Sequence, residues 1–390
     1  MKKNKKTEFN DLKNKLLFFF QKKSKKLHDP LFFGNEKKYL AECIDSGYVS
    51  YVGNFVNNFE KKISYYTKSK YSVATCSGTA ALHLALCYYK VNHEDEILLP
   101  SFTYVATASA IKYCNASLNF VDIESTNLGV CPKKLLNYIN KISIKKGKYY
   151  YNKFTKKKLK ALIVVHVYGF ACQIEEISKI CRKFNIILIE DSAESIGTFY
   201  KNKHLGTFAD IGILSFNGNK TIAGGGAGAI LTKRKKIAIK LKHLSTHAKL
   251  SIKNDHVHDQ IGFNYRMTNL AAAVVCAQLE NIRKIISAKK RIYKFYYNLF
   301  KSYEHIKILS VPNNLSSNYW LITALFNNKN NRDKFIKFFS SIGMSTRVTW
   351  RPLHTLKIFK NCPRDNLENT NVLCDKLINL PSSPILGIKD

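Results

Sequence analysis

Seven short runs of β-branched and aliphatic residues, each followed by a stretch with helical spacing, recur between Tyr71 and Leu231. No other feature constrains the fold as strongly. Strands that all run the same way need long crossovers, and helical crossovers cover both faces of the sheet they connect. The runs are 71–76, 96–99, 118–122, 161–167, 186–190, 211–216 and 227–231. Between them, 79–89 is rich in Ala and Leu after a Gly-Thr turn, and 173–184 sets Ile174, Ile177, Ile180 and Cys181 near helical spacing. The expectation is an α/β fold with a mainly parallel seven-stranded sheet covered by helices. In such sheets ligands gather at the carboxyl ends of the strands. Two runs end there in small or polar residues, at Ser77-Gly78-Thr79 and at Asp191-Ser192-Ala193.

After Asn269 the pattern changes. A long helix-forming run, 270–300, leads out of the sheet region, and strands are expected at 306–309, 319–326 and 345–349 around a helix at 332–342. This reads as a smaller α+β domain. The 390 residues therefore divide into a Lys-rich N-terminal tail (1–30), a large domain (31–270) and a linking helix with a small C-terminal domain (271–390).

The formal charge of +36 would attract polyanions. Yet 54 of the 63 basic residues are Lys, whereas readers of bases and phosphates favour the Arg fork, so nucleic acid is not the expected partner. Two concentrated stretches, 2–26 and 133–160 (the latter with eleven Lys and no acid), read as a solvated tail and a solvated loop. The ten Cys stand singly with no C-x-x-C pair and no signal peptide before them, so neither structural zinc nor a disulfide framework is expected. The apolar run 16–20 is far short of the roughly 20 residues that span a bilayer. A cytoplasmic protein without a membrane partner is expected.

Asp191 closes one strand, and Lys220 follows 29 residues later in the Gly/Asn turn Ser215-Phe216-Asn217-Gly218-Asn219-Lys220, just before Gly224-Gly225-Gly226. Taken singly, the acid is a helix cap and the lysine a surface residue. Together they fit pyridoxal 5'-phosphate chemistry, in which an amine forms the Schiff base and an acid keeps the pyridine nitrogen protonated so that the ring accepts electrons. Ser77-Gly78-Thr79-Ala80-Ala81 would cradle the phosphate at a helix start, with Ser215 adding a hydroxyl.

These residues, with Phe33-Gly34-Asn35-Glu36-Lys37-Lys38-Tyr39-Leu40, Pro100-Ser101-Phe102-Thr103-Tyr104-Val105-Ala106-Thr107, His166-Val167-Tyr168-Gly169, Asn264-Tyr265-Arg266-Met267 and Asn379-Leu380-Pro381-Ser382-Ser383, make the chain resemble the DegT-type sugar-nucleotide aminotransferases, which have the fold type I of pyridoxal-phosphate enzymes. The resemblance covers almost the whole chain. It implies that Lys220 forms the Schiff base and shuttles the proton, and that Asp191 pairs with the pyridine nitrogen. It further implies that Gly78, Thr79 and Ser215 hold the phosphate, that Tyr104 stacks on the ring, and that Glu194 approaches the phenolic oxygen. Asn264 would reach the phosphate of the neighbouring subunit's cofactor, which implies a homodimer with shared active sites. Lys220 argues against the dehydrating relatives, which carry His there.

Within the family, the wording of Asp45-Ser46-Gly47-Tyr48-Val49-Ser50 and of Thr246-His247-Ala248-Lys249 points to enzymes that aminate C4 of UDP-linked 4-keto-6-deoxy-N-acetylhexosamines, with L-glutamate as donor, for surface-glycan sugars. Gly47, Tyr48, Val49 and Ser50 would then cover the sugar, and Arg266 and His354 would meet the diphosphate. Ala227 departs from the family's usual Gly but removes no reacting group. A competing reading is a non-catalytic fold of the same type that binds a sugar nucleotide or a polyanion as sensor or scaffold. A nicotinamide enzyme lacks its G-x-G-x-x-G after the first strand.

Overall fold

A computed structural model describes residues 5–20, 26–252 and 255–388. Helices α1 (Lys5–Phe20), α2 (Glu36–Asp45) and α3 (Asn54–Thr67) precede the sheet region. There follow β1 (Tyr71–Thr75), α4 (Gly78–Tyr88), β2 (Asp95–Pro100), α5 (Val105–Tyr113), β3 (Ser117–Val121), α6 (Pro132–Ile142), β4 (Ser143–Lys146), β5 (Tyr149–Asn152) and β6 (Lys158–Val165). Then come α7 (Ile174–Lys183), β7 (Ile187–Asp191), the two-residue strands β8 (Phe199–Tyr200) and β9 (Lys203–His204), β10 (Ile211–Ser215), β11 (Gly228–Thr232) and α8 (Lys235–Ser245). The C-terminal part holds α9 (Asn269–Glu280), α10 (Ile282–Phe300), β12 (Ile306–Ile308), β13 (Leu315–Ser316), β14 (Ile322–Phe326), α11 (Lys329–Ser341), β15 (Arg347–Val348), α12 (Glu368–Cys374) and β16 (Leu377–Leu380).

All seven expected strands lie in one sheet, in the order β1-β11-β10-β7-β6-β2-β3. The pairs from β10 through β3 are parallel, and β11 runs antiparallel to both its neighbours. One face packs Leu84, Leu86, Ile111, Ile213 and Leu241 beneath α4, α5 and α8. The other packs Leu98, Leu162, Ile139, Ile174 and Ile177 beneath α6 and α7. Both faces are apolar because both are covered. Residues 191 and 213 are paired across β7 and β10, so the ends of these strands open side by side.

Three expectations are corrected. The segment 133–160 is not a solvated loop. Its Leu135, Tyr138, Ile139 and Ile142 bury one face of α6, and β4 and β5 form a hairpin that turns at Gly147 (φ +59°) and pairs with β6. The hairpin docks on buried Glu96, which accepts from Asn119 Nδ2 (2.7 Å), Asn152 Nδ2 (2.8 Å) and Thr155 Oγ1 (2.7 Å). Lys133, Lys141, Lys145, Lys146, Lys148, Lys153 and Lys156 are exposed, whereas Lys134, Lys157, Lys158 and Lys160 are half-buried, with Lys134 paired to Asp122 and Lys160 to Asp95.

The N-terminal stretch is likewise not only a tail. Leu12, Leu16 and Phe20 recur every four residues in α1 and are fully buried against Ile292, Tyr296 and Phe300 of α10, while Phe19 stacks on Phe295 at 3.7 Å. Burying three such side chains contributes about 1.5–3 kcal/mol each. Finally, the run 270–300 is two helices that break at Asn281. The small domain has a four-stranded antiparallel sheet, β12-β14-β16-β15, whose strand β16 was not expected. Among the described residues, no helix is long and apolar enough to cross a membrane.

Candidate active site

Asp191 ends β7 and is 5% exposed. Its Oδ2 accepts from Thr107 Oγ1 at 2.8 Å and its Oδ1 from the Ala193 N–H at 3.2 Å. Thr107 lies in the first turn of α5, three residues after Tyr104, so the helix that carries Tyr104 also holds the acid. Burial pushes the Asp191 pKa up, against the pull of those two donors and of Lys220. A buried carboxylate in this position favours a cationic partner.

Lys220 supplies a cation on the neighbouring turn. Its Nζ lies 3.4 Å from Glu194 Oε1 and 4.2 Å from the centre of the Trp320 ring. Trp320 is fixed by its indole N–H, which donates to Asn219 O at 2.7 Å. Glu194 is buried, and its Oε2 accepts from the Tyr168 N–H at 2.8 Å, so its two oxygens are aimed by different elements. Burial raises the Glu194 pKa, and Lys220 opposes the rise. Tyr168 takes a left-handed backbone (φ 54°), and the next residue must be Gly, because a Cβ on Gly169 would lie 2.2 Å from Asn318 Oδ1. Asn318 Nδ2 in turn donates to Glu194 O (2.8 Å) and Ile196 O (3.0 Å), so the C-terminal part of the chain clamps the loop that carries Glu194.

Behind Asp191, Glu190 is fully buried and accepts from the N–H groups of Gly206 (2.8 Å), Phe208 (2.6 Å) and Ala209 (2.6 Å). Its fourth partner is His166 Nε2 at 3.1 Å. Because the Cys172 N–H points at His166 Nδ1 (3.2 Å), that nitrogen is the acceptor and Nε2 donates to Glu190. This fully bonded carboxylate fixes the end of β7.

The segment expected to cradle the phosphate opens a helix. Ser77 caps α4 by accepting from the Ala80 N–H at 3.1 Å, and Gly78 and Thr79 open the helix, where N–H groups have no partner within the ladder. A Cβ on Gly78 would come 2.9 Å from Ser215 Cβ, which brings the two predicted phosphate residues together and explains the absent side chain.

The remaining predicted residues make other contacts. Tyr104 is 58% exposed, with Trp350 6.3 Å away between ring centroids. Gly47, Tyr48, Val49 and Ser50 lie on an exposed loop held from below by Asn269, whose Nδ2 donates to Tyr48 O at 2.7 Å and whose N–H bonds Ser50 O. Asn264 is exposed and its Oδ1 accepts from Arg266 Nε (3.3 Å) and Nη2 (3.2 Å), while the Arg266 guanidinium lies on Tyr51 at 3.2 Å. His354 sits on Ser101, with its Nδ1 2.7 Å from Ser101 Oγ, so one ring nitrogen is used in docking the segment after β15 onto the end of β2.

Residues 33–390 match the description "DegT/DnrJ/EryC1/StrS aminotransferase family". The chain belongs to this family. Among relatives of the family, a GDP-perosamine synthase of Vibrio cholerae is 34% identical over 92% of this chain and 94% of its own. A putative pyridoxal phosphate-dependent aminotransferase of Bacillus subtilis is 32% identical over 90% and 88%. A solved family aminotransferase from Brucella abortus superposes with a TM-score of 0.80 over 90% of each chain, at 26% identity. The protein is thus a pyridoxal-phosphate-dependent sugar aminotransferase with the fold type I architecture. The reading of a non-catalytic scaffold falls with this result.

The residues present fit the cofactor. Asp191 is a buried acid short of a cation, Lys220 is an amine beside it, and Gly78 leaves room for a phosphate where any side chain would strike Ser215. Family motifs pointed to Lys220, Asp191, Glu194, Gly78, Thr79 and Ser215 and contained Thr107 without giving it a role, but they did not include Trp320, Asn318 or His28. Both ring nitrogens of His28 are buried without a hydrogen-bond partner among the described residues, and burial together with the fields of Lys289, Lys220 and Arg347 holds its pKa well below the usual range. Nothing in the Lys-rich start of the chain signalled a neutral histidine near the centre.

Proposed function

We propose that this protein moves an amino group from L-glutamate to the C4 keto carbon of a nucleotide-linked 4-keto-6-deoxyhexose, as a step in making a surface-glycan sugar, and that it works as a homodimer. The observation that carries the reading is the buried meeting of Asp191, Lys220 and Glu194 at adjacent strand ends. When bound, the pyridoxal ring supplies the electron sink that makes a proton on an amino-bearing carbon removable.

Each step then falls to a residue of the chain. Asp191, held by Thr107 and Ala193, keeps a proton on the ring nitrogen. Lys220, set between Glu194 and the Trp320 face, takes the proton from Cα of glutamate and later delivers one to C4 of the sugar. Ser77 to Thr79 and Ser215 hold the phosphate, so that the reacting carbon stays within reach of Nζ. Glu194, whose burial favours its neutral form, is suited to share a hydrogen with the phenolic oxygen.

Recognition of the sugar nucleotide is assigned to the exposed face. Arg266 offers a guanidinium to the diphosphate, the 47–50 loop covers the sugar, and His354 is assigned to the diphosphate as well. Ile44, Tyr48, Val49, Tyr51 and Val52 leave an apolar surface beside Asn264 and Arg266, which supports a second subunit packing there and Asn264 serving its site. Similarity to the Vibrio enzyme favours GDP as carrier, whereas the wording of the 45–50 and 246–249 motifs favours UDP on an N-acetylhexosamine. Mass spectrometry of products from GDP-, UDP- and dTDP-linked 4-keto sugars with glutamate decides between them. Amination of one carrier's sugar at C4 is expected; no amine from any of the three would overturn the proposal.

A further inference from the structure

The fold assembles a thiol and imidazole cluster that the spacing of the cysteines did not announce. His83 and Cys87 stand four residues apart on α4, and Cys114 caps the C-terminal end of α5. Their donor atoms, His83 nitrogen and the two Sγ atoms, all lie within 4.8 Å of one another. His83 Nε2 is 3.4 Å from Cys87 Sγ. In a tetrahedral zinc site with Zn–N near 2.0 Å and Zn–S near 2.3 Å, that edge is about 3.5 Å.

We propose that His83, Cys87 and Cys114 bind one zinc ion, with water in the fourth position. Soft thiolates with one imidazole suit Zn²⁺ rather than Mg²⁺ or Ca²⁺. The surroundings are those of a built site. His83 Nδ1 lies 3.2 Å from Tyr265 Oη, and donation along that line leaves Nε2 with its lone pair toward the sulfurs. Phe263 and Tyr113 meet the imidazole edge-on at 4.9 and 5.6 Å and limit its rotation. Both cysteines are part-exposed, so an ion can enter. Binding breaks two S–H bonds and forms two Zn–S bonds; two protons leave to solvent, and the dication is balanced by two thiolates. The ion would tie the far ends of α4 and α5, the helices whose first turns carry the phosphate cradle and Tyr104. It lies outside the transamination centre and does not depend on the proposed substrate.

The test uses reduced, desalted holoenzyme titrated with zinc chloride against a chromophoric chelator, and with cobalt chloride as a spectroscopic probe. One equivalent is expected to bind, with thiolate-to-cobalt charge-transfer and tetrahedral ligand-field bands. Cys87→Ser and Cys114→Ser should each weaken binding at least about 100-fold, whereas Cys362→Ser should bind as the parent does. Because a variant can misfold, zinc protection of Cys87 and Cys114 against alkylation is also read on the unaltered protein by peptide mass spectrometry. Absence of binding, equal binding by the serine variants, or alkylation of both cysteines at the same rate with zinc present would overturn the site. So would a Cys87–Cys114 disulfide as the only reactivity of the pair.

Discussion

Two halves of the active region are built on different terms. At the strand ends, Asp191 and Glu194 are each 5% exposed and are aimed by Thr107, Ala193 and Tyr168 of the same chain. Around the 47–52 loop, Tyr48 is 56% and Val52 55% exposed, and Arg266 rests on Tyr51 and donates to Asn264. The contrast separates chemistry from recognition. Proton transfer needs fixed, desolvated groups, which a covered parallel sheet provides within one chain. On the proposed function, recognition of a large charged substrate falls to the open surface, which a second subunit and the ligand would complete.

The largest effect is expected at the buried half. Lys220→Ala should lower turnover by at least about 10⁴-fold with the fold intact, and should abolish the reducible yellow adduct. A variant that still aminates sugar would remove Lys220 from the centre. Asp191→Asn should cost roughly 10²- to 10⁴-fold in kcat because the ring nitrogen loses its proton partner; a rate close to the parent's would show that the acid serves only as a cap for Ala193.

The exposed half is probed by mixing chains. Asn264→Ala and Lys220→Ala are each expected to be impaired as pure proteins, whereas co-expression should recover up to about a quarter of parental activity, since one site per mixed dimer then has both residues intact. Without recovery, each site would be complete in its own chain and the comparison above would fail.

Stability measurements sharpen the same division away from the chemistry. Leu16→Ala should destabilise the C-terminal domain by about 2–5 kcal/mol through the cavity it leaves beside Tyr296, with kcat little changed; denaturant midpoints and initial rates measure the two effects separately. Burial holds the His204 pKa down to about 4, and its Nε2 accepts from the Gly197 N–H at 3.0 Å. The unfolded chain therefore binds a proton at pH values where the native one does not. Stability should fall by up to roughly 3 kcal/mol as pH drops from 6.5 to 4, and be retained above 6.5. His204→Gln should flatten that slope in denaturant titrations. An unchanged slope would show that His204 is not the titrating group.

Periodicity and motif order made the sheet and the buried centre legible. Val73, Leu98, Ile163 and Ile213 announce strands covered on both sides, and Ser77-Gly78-Thr79, Asp191 and Lys220 sit where strand meets helix. Composition misled where it outweighed spacing. Leu12, Leu16 and Phe20 mark a buried helical face that the Lys around them disguised, and Leu135, Tyr138, Ile139 and Ile142 do the same in α6.

The local code by itself determined which segments become strands and helices, because those follow from side-chain period and steric limits that act over a few residues. Only the tertiary structure decided that Thr107 would hold Asp191, that Trp320 and Asn318 from the far end of the chain would lie against Lys220 and the Glu194 loop, and that His83, Cys87 and Cys114 would meet. Such contacts join residues up to 124 positions apart, and no local period encodes a distance that packing alone sets.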